Sequence, residues 1–196
     1  MRYLACGYNT IAITDHADYS NIESVVRSTL SFTRNWPKDC AIKVLPGIEL
    51  THLPLKQFKP LANYARSKGI KIIVAHGQTV CEPVIKGTNL AALSADIDIL
   101  AHPGLITEEE IRLAKRKGVF LELTSRTGHS QTNEFVAAQA LKSGARLILN
   151  NDSHAPEDII SPRHLVNIGL KAGLSQKDID NLYKDVAGFI KEREGR

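Results

Sequence analysis

Short hydrophobic runs rich in β-branched residues alternate along this chain with longer segments of helical periodicity. The runs are the predicted strands, and they cover residues 11–16, 43–49, 72–76, 98–102, 119–124 and 147–154. Each intervening segment is long enough for a helix that crosses back over a sheet. The alternation therefore predicts an α/β fold with a mainly parallel sheet.

Residues typical of helix starts and helix ends stand between the runs and support this pattern. Thr107 and Glu110 have the spacing of a capping box at a helix start, and Pro162 suits a first helical turn. Three glycines stand where helices should end before the next strand, namely Gly69, Gly118 and Gly144. Residues 175–196 predict a charged, amphipathic final helix, and no low-complexity linker interrupts the chain. We therefore expect a single domain over residues 1–196.

Composition indicates an ordinary globular protein, with 196 residues, 43% of them hydrophobic and 23% charged. No apolar run approaches the roughly 18 residues that span a bilayer, so no membrane partner is expected. The first residues lack the long apolar core of a secretory signal. Cys6, Cys40 and Cys81 are odd in number and widely spaced, which predicts reduced thiols and a cytoplasmic protein.

The net charge of +4 is compatible with an anionic substrate. Its main cluster, Lys115 to Lys117, falls on a predicted helix, where a solvated helix face explains it. Basic and aromatic residues are not interleaved in the way that indicates a nucleic-acid surface. We therefore predict that nucleic acid is not a partner.

Candidate metal ligands stand at the ends of five predicted strands: His16, Glu49, His76, His102, and the pair Asp152 and His154. The carboxyl ends of parallel strands meet at one face, so these side chains should converge. Residues 152 and 154 should also point to the same side of an extended chain. A lone histidine at a strand end is usually structural, but several at the same topological position indicate a metal centre. Imidazole and carboxylate without thiolate favour zinc, manganese or iron.

The same positions carry a family resemblance. Five short motifs in order resemble the PHP (polymerase and histidinol phosphatase) family: Thr14-Asp15-His16, Pro46-Gly47-Ile48-Glu49, Ala75-His76-Gly77, Ala101-His102-Pro103-Gly104 and Asn151-Asp152-Ser153-His154. The resemblance covers about residues 7–156, and the segments 47–52, 87–89 and 126–130 are most similar to histidinol-phosphatase-like members. It implies a distorted (β/α)7 barrel that uses one to three divalent ions to hydrolyse phosphoesters.

The resemblance also implies a ligand set. The implied ligands are Glu49, His76 and His102 for one ion, Asp152 for its neighbour, and His16 with His154 for a third. The family's opening strand with its His-x-His pair is missing, so only six strands are visible and some ligands are lost. Either Met1 is an internal residue of a longer protein or the chain is a truncated relative. The first is favoured, because a barrel without its first strand leaves two unpaired edges around an apolar interior.

The function that follows is a metal-dependent phosphatase for a small phosphomonoester, with histidinol phosphate as the candidate substrate. Metal-bound hydroxide would attack, Arg126 and His129 would hold the phosphate, and Asp15, His52 and Glu122 would support or line the site. Three of these residues have a simpler alternative role. Arg126 is then a solvated surface arginine, His52 a loop histidine, and Glu122 a buried carboxylate with a paired partner. The alternative functions are a phosphodiesterase or exonuclease and an inactive metal-binding remnant. An exposed barrel edge would favour a homo-oligomer.

Overall fold

The structure is a computed structural model that describes residues 1–195. Its strands are β1 (Thr10–Ile13), β2 (His16–Ala17), β3 (Lys43–Leu50), β4 (Ile72–His76), β5 (Ile99–Ala101), β6 (Phe120–Thr124) and β7 (Leu147–Asn150). Its α-helices are α1 (Arg2–Ala5), α2 (Ile22–Arg34), α3 (Phe58–Lys68), α4 (Thr88–Ser94), α5 (Glu108–Lys117), α6 (Asn133–Ser143), α7 (Pro162–Lys171) and α8 (Gln176–Gly195). The predicted alternation of strands and helices is confirmed.

All strand pairs are parallel, in the order β1-β3-β4-β5-β6-β7. Both β1 and β2 pair with β3, Thr10 opposite Lys43 at one end and His16 opposite Glu49 at the other. They are thus two parts of the first predicted run, separated at Thr14 and Asp15. The sheet has six positions, as the sequence predicts.

The two edges of the sheet face each other across a gap that we call the seam. No ladder within residues 1–195 joins β7 to β1. Side chains cross the seam instead: the Tyr8 hydroxyl donates to the Ile160 carbonyl (2.8 Å) and accepts from Asn151 Nδ2 (2.7 Å). His154 Nε2 also lies 3.4 Å from His16 Nε2. The sheet is therefore curled towards a barrel without closing into one.

Apolar side chains pack on both faces of the curled sheet. The outer face carries the larger cluster, with Leu50, Leu100 and Leu121 packed beneath the helices. The inner face is filled by Leu45, Ile72, Val74, Ile99, Ala101, Phe120 and Ile148, together with Phe189 of α8. Phe189 meets Phe120 edge to face, with ring centroids 5.1 Å apart. The end of α8 therefore closes the amino end of the sheet interior and leaves the carboxyl end for the site.

The helix ends follow the sequence signals. Thr107 and Glu110 form the predicted capping box, and the Ser161 hydroxyl accepts from the His164 N–H in the turn that contains Pro162. All three predicted helix-ending glycines adopt left-handed conformations: Gly69, Gly118 and Gly144. These ends place each following strand with its carboxyl end at the common face.

Gly77 allows β4 and β5 to approach each other closely at their carboxyl ends, beside the candidate ligands. A Cβ atom at Gly77 would meet the Ala101 carbonyl oxygen and would lie 2.8 Å from Pro103 Cα. Only glycine fits this approach, which sets His76 beside His102. The glycine of this motif thus has a packing role that is independent of any reaction.

No helix within residues 1–195 is long and apolar enough to cross a membrane, which agrees with the sequence. The three cysteines are free, as expected from their spacing.

Candidate metal centre

A cavity of about 260 Å³ opens at the carboxyl ends of the strands. We call it the strand-end cavity, and its lining residues are His16, His52, His76, Glu82, His102, Arg126, His129, Asp152 and His154. Five of the six predicted ligands are among them. The sixth, Glu49, is buried with a carboxylate oxygen 3.9 Å from His16 Nε2. The structure therefore brings the predicted residues together, as the convergence of strand ends requires.

The imidazole rings in the cavity pack against one another. The ring of His76 lies 4.4 Å from that of His102 and 4.8 Å from that of His52, and His129 stacks on His102 at 4.1 Å. Burial lowers the pKa of His76 to about 3 and that of His129 to about 4, and the neighbouring His102 adds to both effects. His76 and His129 are therefore neutral near pH 7, which is the form that binds metals.

The tautomers of two histidines follow from their partners. His76 Nδ1 lies 3.0 Å from the Gly77 carbonyl, and His102 Nδ1 lies 3.1 Å from Glu122 Oε2. A carbonyl only accepts and the Glu122 carboxylate accepts when ionised, so each Nδ1 carries the proton. The Nε2 atoms are left as acceptors, and His102 Nε2 is buried with no hydrogen-bond partner. Histidines that ligate metals are held in this way.

Glu122 is the carboxylate that orients His102. It accepts from the His102 backbone N–H (2.9 Å), from His102 Nδ1, and from Asn150 Nδ2 (2.9 Å). Burial opposes its ionisation, but these hydrogen bonds and the charge of His102 outweigh burial and lower the pKa of Glu122. Burial likewise opposes protonation of His102, yet Glu122 raises the pKa of His102 overall. Glu122 is thus both a buried paired carboxylate and a support for a candidate ligand.

Among the buried side-chain atoms of residues 1–195 that lack hydrogen-bond partners, three belong to predicted ligands: Glu49 Oε1, His102 Nε2 and Asp152 Oδ2. The last of these lies 3.7 Å from Arg126 Nε. Burial raises the pKa of Glu49 to about 8, and it also raises that of Asp152, with the charge of Glu122 as the next cause. Unpaired buried acceptors are costly unless a cation satisfies them. Oxygen and imidazole ligands suit a divalent transition metal. Within residues 1–195, the groups of three whose ligand atoms lie within 4.8 Å of one another are His76, His102 and His129, and His52, His76 and Glu82.

Backbone strain is concentrated at the same place. His52 (φ 51°), His102 (φ 30°) and Asp152 (φ 51°) are the residues other than glycine with positive φ in the described part of the chain. Such conformations cluster at functional sites. The left-handed Asp152 also corrects a sequence-based expectation, because β7 ends at Asn150 and residues 152 and 154 do not lie on an extended strand.

The remaining predicted site residues have identifiable partners. Arg126 Nη1 donates to the Asp152 carbonyl (3.3 Å) and lies 3.6 Å from Asp158 Oδ2, so this guanidinium faces acidic groups. His129 Nδ1 lies 2.7 Å from Thr79 Oγ1. Asp15 is exposed and stands outside the cavity lining, and its carbonyl accepts from the Glu49 N–H (3.0 Å).

Glu82 is a cavity residue that the sequence analysis missed. Its carboxylate lies 3.2 Å from His76 Nε2, 3.4 Å from His129 Nε2 and 3.6 Å from His52 Nε2. It stands in the irregular segment 77–87, where no periodicity indicates the direction of a side chain. The available signal was its position six residues after His76, in a loop that leaves the carboxyl end of a strand.

The chain is similar in sequence to a known archaeal protein. No protein-family model matches the chain. The uncharacterized protein MJ1295 of Methanocaldococcus jannaschii is 42% identical over 179 residues, which cover 89% of this chain and 81% of that protein. The chain belongs to the MJ1295 family.

The MJ1295-family chain also resembles a chain in a cryo-EM structure of archaeal ribonuclease P with mature tRNA. The TM-score is 0.67 at 18% sequence identity, and the match covers 96% of this chain and 83% of that one. At this identity the similarity shows a shared fold.

These findings correct the sequence-based assignment. The PHP family, the metal-dependent phosphatase or phosphodiesterase activity, the hydrolase class and the small phosphorylated substrate are wrong for this MJ1295-family protein, and so is the exclusion of nucleic acid. The assignment failed because short motifs at strand ends indicate only that polar residues converge at one face of the sheet. Folds with parallel βα units share this convergence whatever they do.

Proposed function

We propose that this MJ1295-family protein associates with RNA, and that RNA phosphates contact the amino ends of its strands. The basic residues at this end carry the proposal. Exposed cations stand at the last turns of three helices: Lys68 in α3, Lys115, Arg116 and Lys117 in α5, and Lys142 in α6. We call this surface the amino-end face.

Three acidic groups near the amino-end face are paired with arginines. Arg66 pairs with Asp96 (3.1 Å) and also with the buried Asp98 (2.8 Å). Arg146 similarly pairs with Asp185 (2.7 Å). Within residues 1–195, no ion pair involves the positions Lys68, Arg116 or Lys142. The surface therefore presents uncompensated positive charge, which attracts phosphate backbones.

A groove of about 400 Å³ opens beside this face, with Lys59 and Lys117 in its lining. The opposite end of the molecule carries acidic first turns, such as Glu108 to Glu110 of α5. Exposed cations such as Lys56, Lys86 and Arg163 also stand at that end, so the unpaired cations of the amino-end face carry the proposal, and the net charge of each end does not. The similarity in fold to a chain of the ribonuclease P and tRNA complex supports RNA as the polyanion.

The triple variant Lys68→Gln, Arg116→Gln, Lys142→Gln tests this proposal. We expect its affinity for a tRNA transcript to fall about 10- to 100-fold, because three phosphate contacts are lost. The slope of log K against log[KCl] should also decrease by about 2 to 3 in magnitude. Fluorescence anisotropy over a series of KCl concentrations measures both quantities.

A matched control removes three exposed positive charges from the carboxyl-end loops and first turns: Lys56→Gln, Lys86→Gln, Arg163→Gln. Its net charge equals that of the first triple variant, so it separates location from total charge. Equal losses of affinity in the two variants, or no tRNA binding by the natural chain, would contradict the proposal.

We also propose that one to three divalent ions (zinc, manganese or iron) bind in the strand-end cavity. The unsatisfied Glu49 Oε1, His102 Nε2 and Asp152 Oδ2 support this. When bound, an ion neutralises the buried carboxylates and joins strands from both sides of the seam. We retain the expectation of a cytoplasmic protein for this RNA-associated role.

Glu49→Gln is expected to lower zinc affinity by on the order of 100-fold, because a ligand oxygen is replaced by an amide. Competition with a chromophoric chelator measures the affinity. Zinc should also raise the melting temperature of the natural chain, because ligand at 100 times its Kd adds about 2.7 kcal/mol. Glu23→Gln, at an exposed position in α2, is the control. Equal zinc affinity in the natural chain and Glu49→Gln would remove Glu49 from the centre.

A further inference from the structure

Glu82 and its loop form a feature that the proposed metal centre does not explain. We propose that Glu82, His52 and His76 form a second zinc-type site, and that an ion there fastens the loop of residues 77–87 over the strand-end cavity. The inference rests on the proposed metal centre and adds a ligand that comes from outside the strand ends.

The ligand atoms have the spacing of a coordination shell. Zinc bonds of about 2.0–2.1 Å in a tetrahedron place ligand atoms about 3.3 Å apart. Glu82 Oε2 lies 3.2 Å from His76 Nε2 and 3.6 Å from His52 Nε2. All three residues offer ligand atoms that lie within 4.8 Å of one another. One small cation therefore satisfies the three side chains with little movement.

The hydrogen bond of His76 favours a cation over a plain ion pair. His76 Nδ1 lies 3.0 Å from the Gly77 carbonyl and donates to it, so the lone pair of Nε2 is directed at Glu82. Two acceptor atoms 3.2 Å apart repel unless a cation lies between them.

The loop is fixed at its base and weakly packed at its tip. The Gln78 N–H donates to Asn89 Oδ1 (2.8 Å), and Gln78 Oε1 accepts from the N–H groups of Gly87 (3.0 Å) and Asn89 (3.1 Å). Towards the tip, Val80 and Ile85 are 48% and 58% exposed. Thr79 Oγ1 and Cys81 Sγ also contact His129 Nδ1, at 2.7 Å and 3.2 Å. The apolar tip residues add little burial, so these polar contacts and those of Glu82 attach the loop.

The carboxylate of Glu82 also reaches the neighbouring group of histidines. Its other oxygen, Oε1, lies 3.4 Å from His129 Nε2, and His129 shares a possible metal group with His76 and His102. Glu82 thus stands between the second site and the deeper centre. Loading of the second site would hold the loop closed over that centre.

Limited trypsin digestion reports on the loop, because it contains Lys86. In the natural full-length chain, excess Zn²⁺ should slow cleavage after Lys86 at least about tenfold relative to the chain treated with EDTA. In Glu82→Gln this protection should disappear, and the zinc content by mass spectrometry should fall by one ion per chain. Glu23→Gln should behave as the natural chain does.

The outcomes separate the two proposals. If the natural chain binds no zinc, the metal centre and the second site both fail. If it binds zinc, and Glu82→Gln keeps the same zinc content and the same protection at Lys86, the second site alone is overturned. The folded state of each variant is checked by circular dichroism.

Discussion

The variant Asp98→Asn is expected to lose about 3–5 kcal/mol of its free energy of unfolding. The Asp98 side chain is fully buried and holds two cations, Arg66 at 2.8 Å and Arg193 of α8. Its Oδ2 also accepts the Ile73 N–H at 2.7 Å. Asparagine keeps the volume but removes the charge, and it leaves Arg193 partly buried without a counter-ion. Urea unfolding followed by circular dichroism measures the loss.

Asp96→Asn is the matched control. Asp96 pairs with Arg66 (3.1 Å), but its side chain is 55% exposed. Exposed ion pairs contribute only about 0–1 kcal/mol, so this variant should be near neutral. Similar losses in the two variants would show that Asp98 does not hold α8 to the sheet.

Phe189→Ala should lower the free energy of unfolding by about 3–5 kcal/mol. Phe189 reaches from α8 into the inner cluster and packs on Phe120, with ring centroids 5.1 Å apart. Alanine leaves a void at the amino end of the sheet interior, because the strands around it cannot close further. Urea unfolding is again the measurement.

Phe32→Ala supplies the comparison, since Phe32 is 46% exposed on α2. Surface substitutions usually change stability by less than about 0.5 kcal/mol. A loss at Phe189 no larger than that at Phe32 would mean that α8 only covers the sheet interior and does not pack into it.

The elements of the fold follow from local signals in the sequence. The capping box of Thr107 and Glu110 and the helix-ending Gly118 set the bounds of α5 within a residue. The hydrophobic runs likewise locate six strand positions, because buried parallel strands need continuous apolar segments. Convergence of the strand ends then brings His76 and His102 together, whatever loops connect them.

Tertiary detail is what the sequence could not supply. The left-handed turn at Asp152 lies between Asn151 and His154, which contact Tyr8 and His16 across the seam, and a period-two pattern does not reveal it. Glu82 enters the cavity from a loop whose base is fixed by hydrogen bonds between Gln78 and Asn89, which no periodicity reveals. The family assignment failed for a related reason. Motifs of three or four residues indicate where a fold places polar groups, but they do not indicate which ligand or substrate those groups bind.

The seam also has a consequence for the order of folding. Its contacts join residues far apart in the chain, as in Tyr8 with Ile160 and His16 with His154. Closing such long loops is slow, because their entropy is lost before the contacts form. The parallel sheet can begin to assemble from neighbouring βα units, whereas the cavity needs both ends of the chain. We therefore expect the candidate metal centre to be completed last during folding, and spontaneous opening of the native protein to begin at the seam.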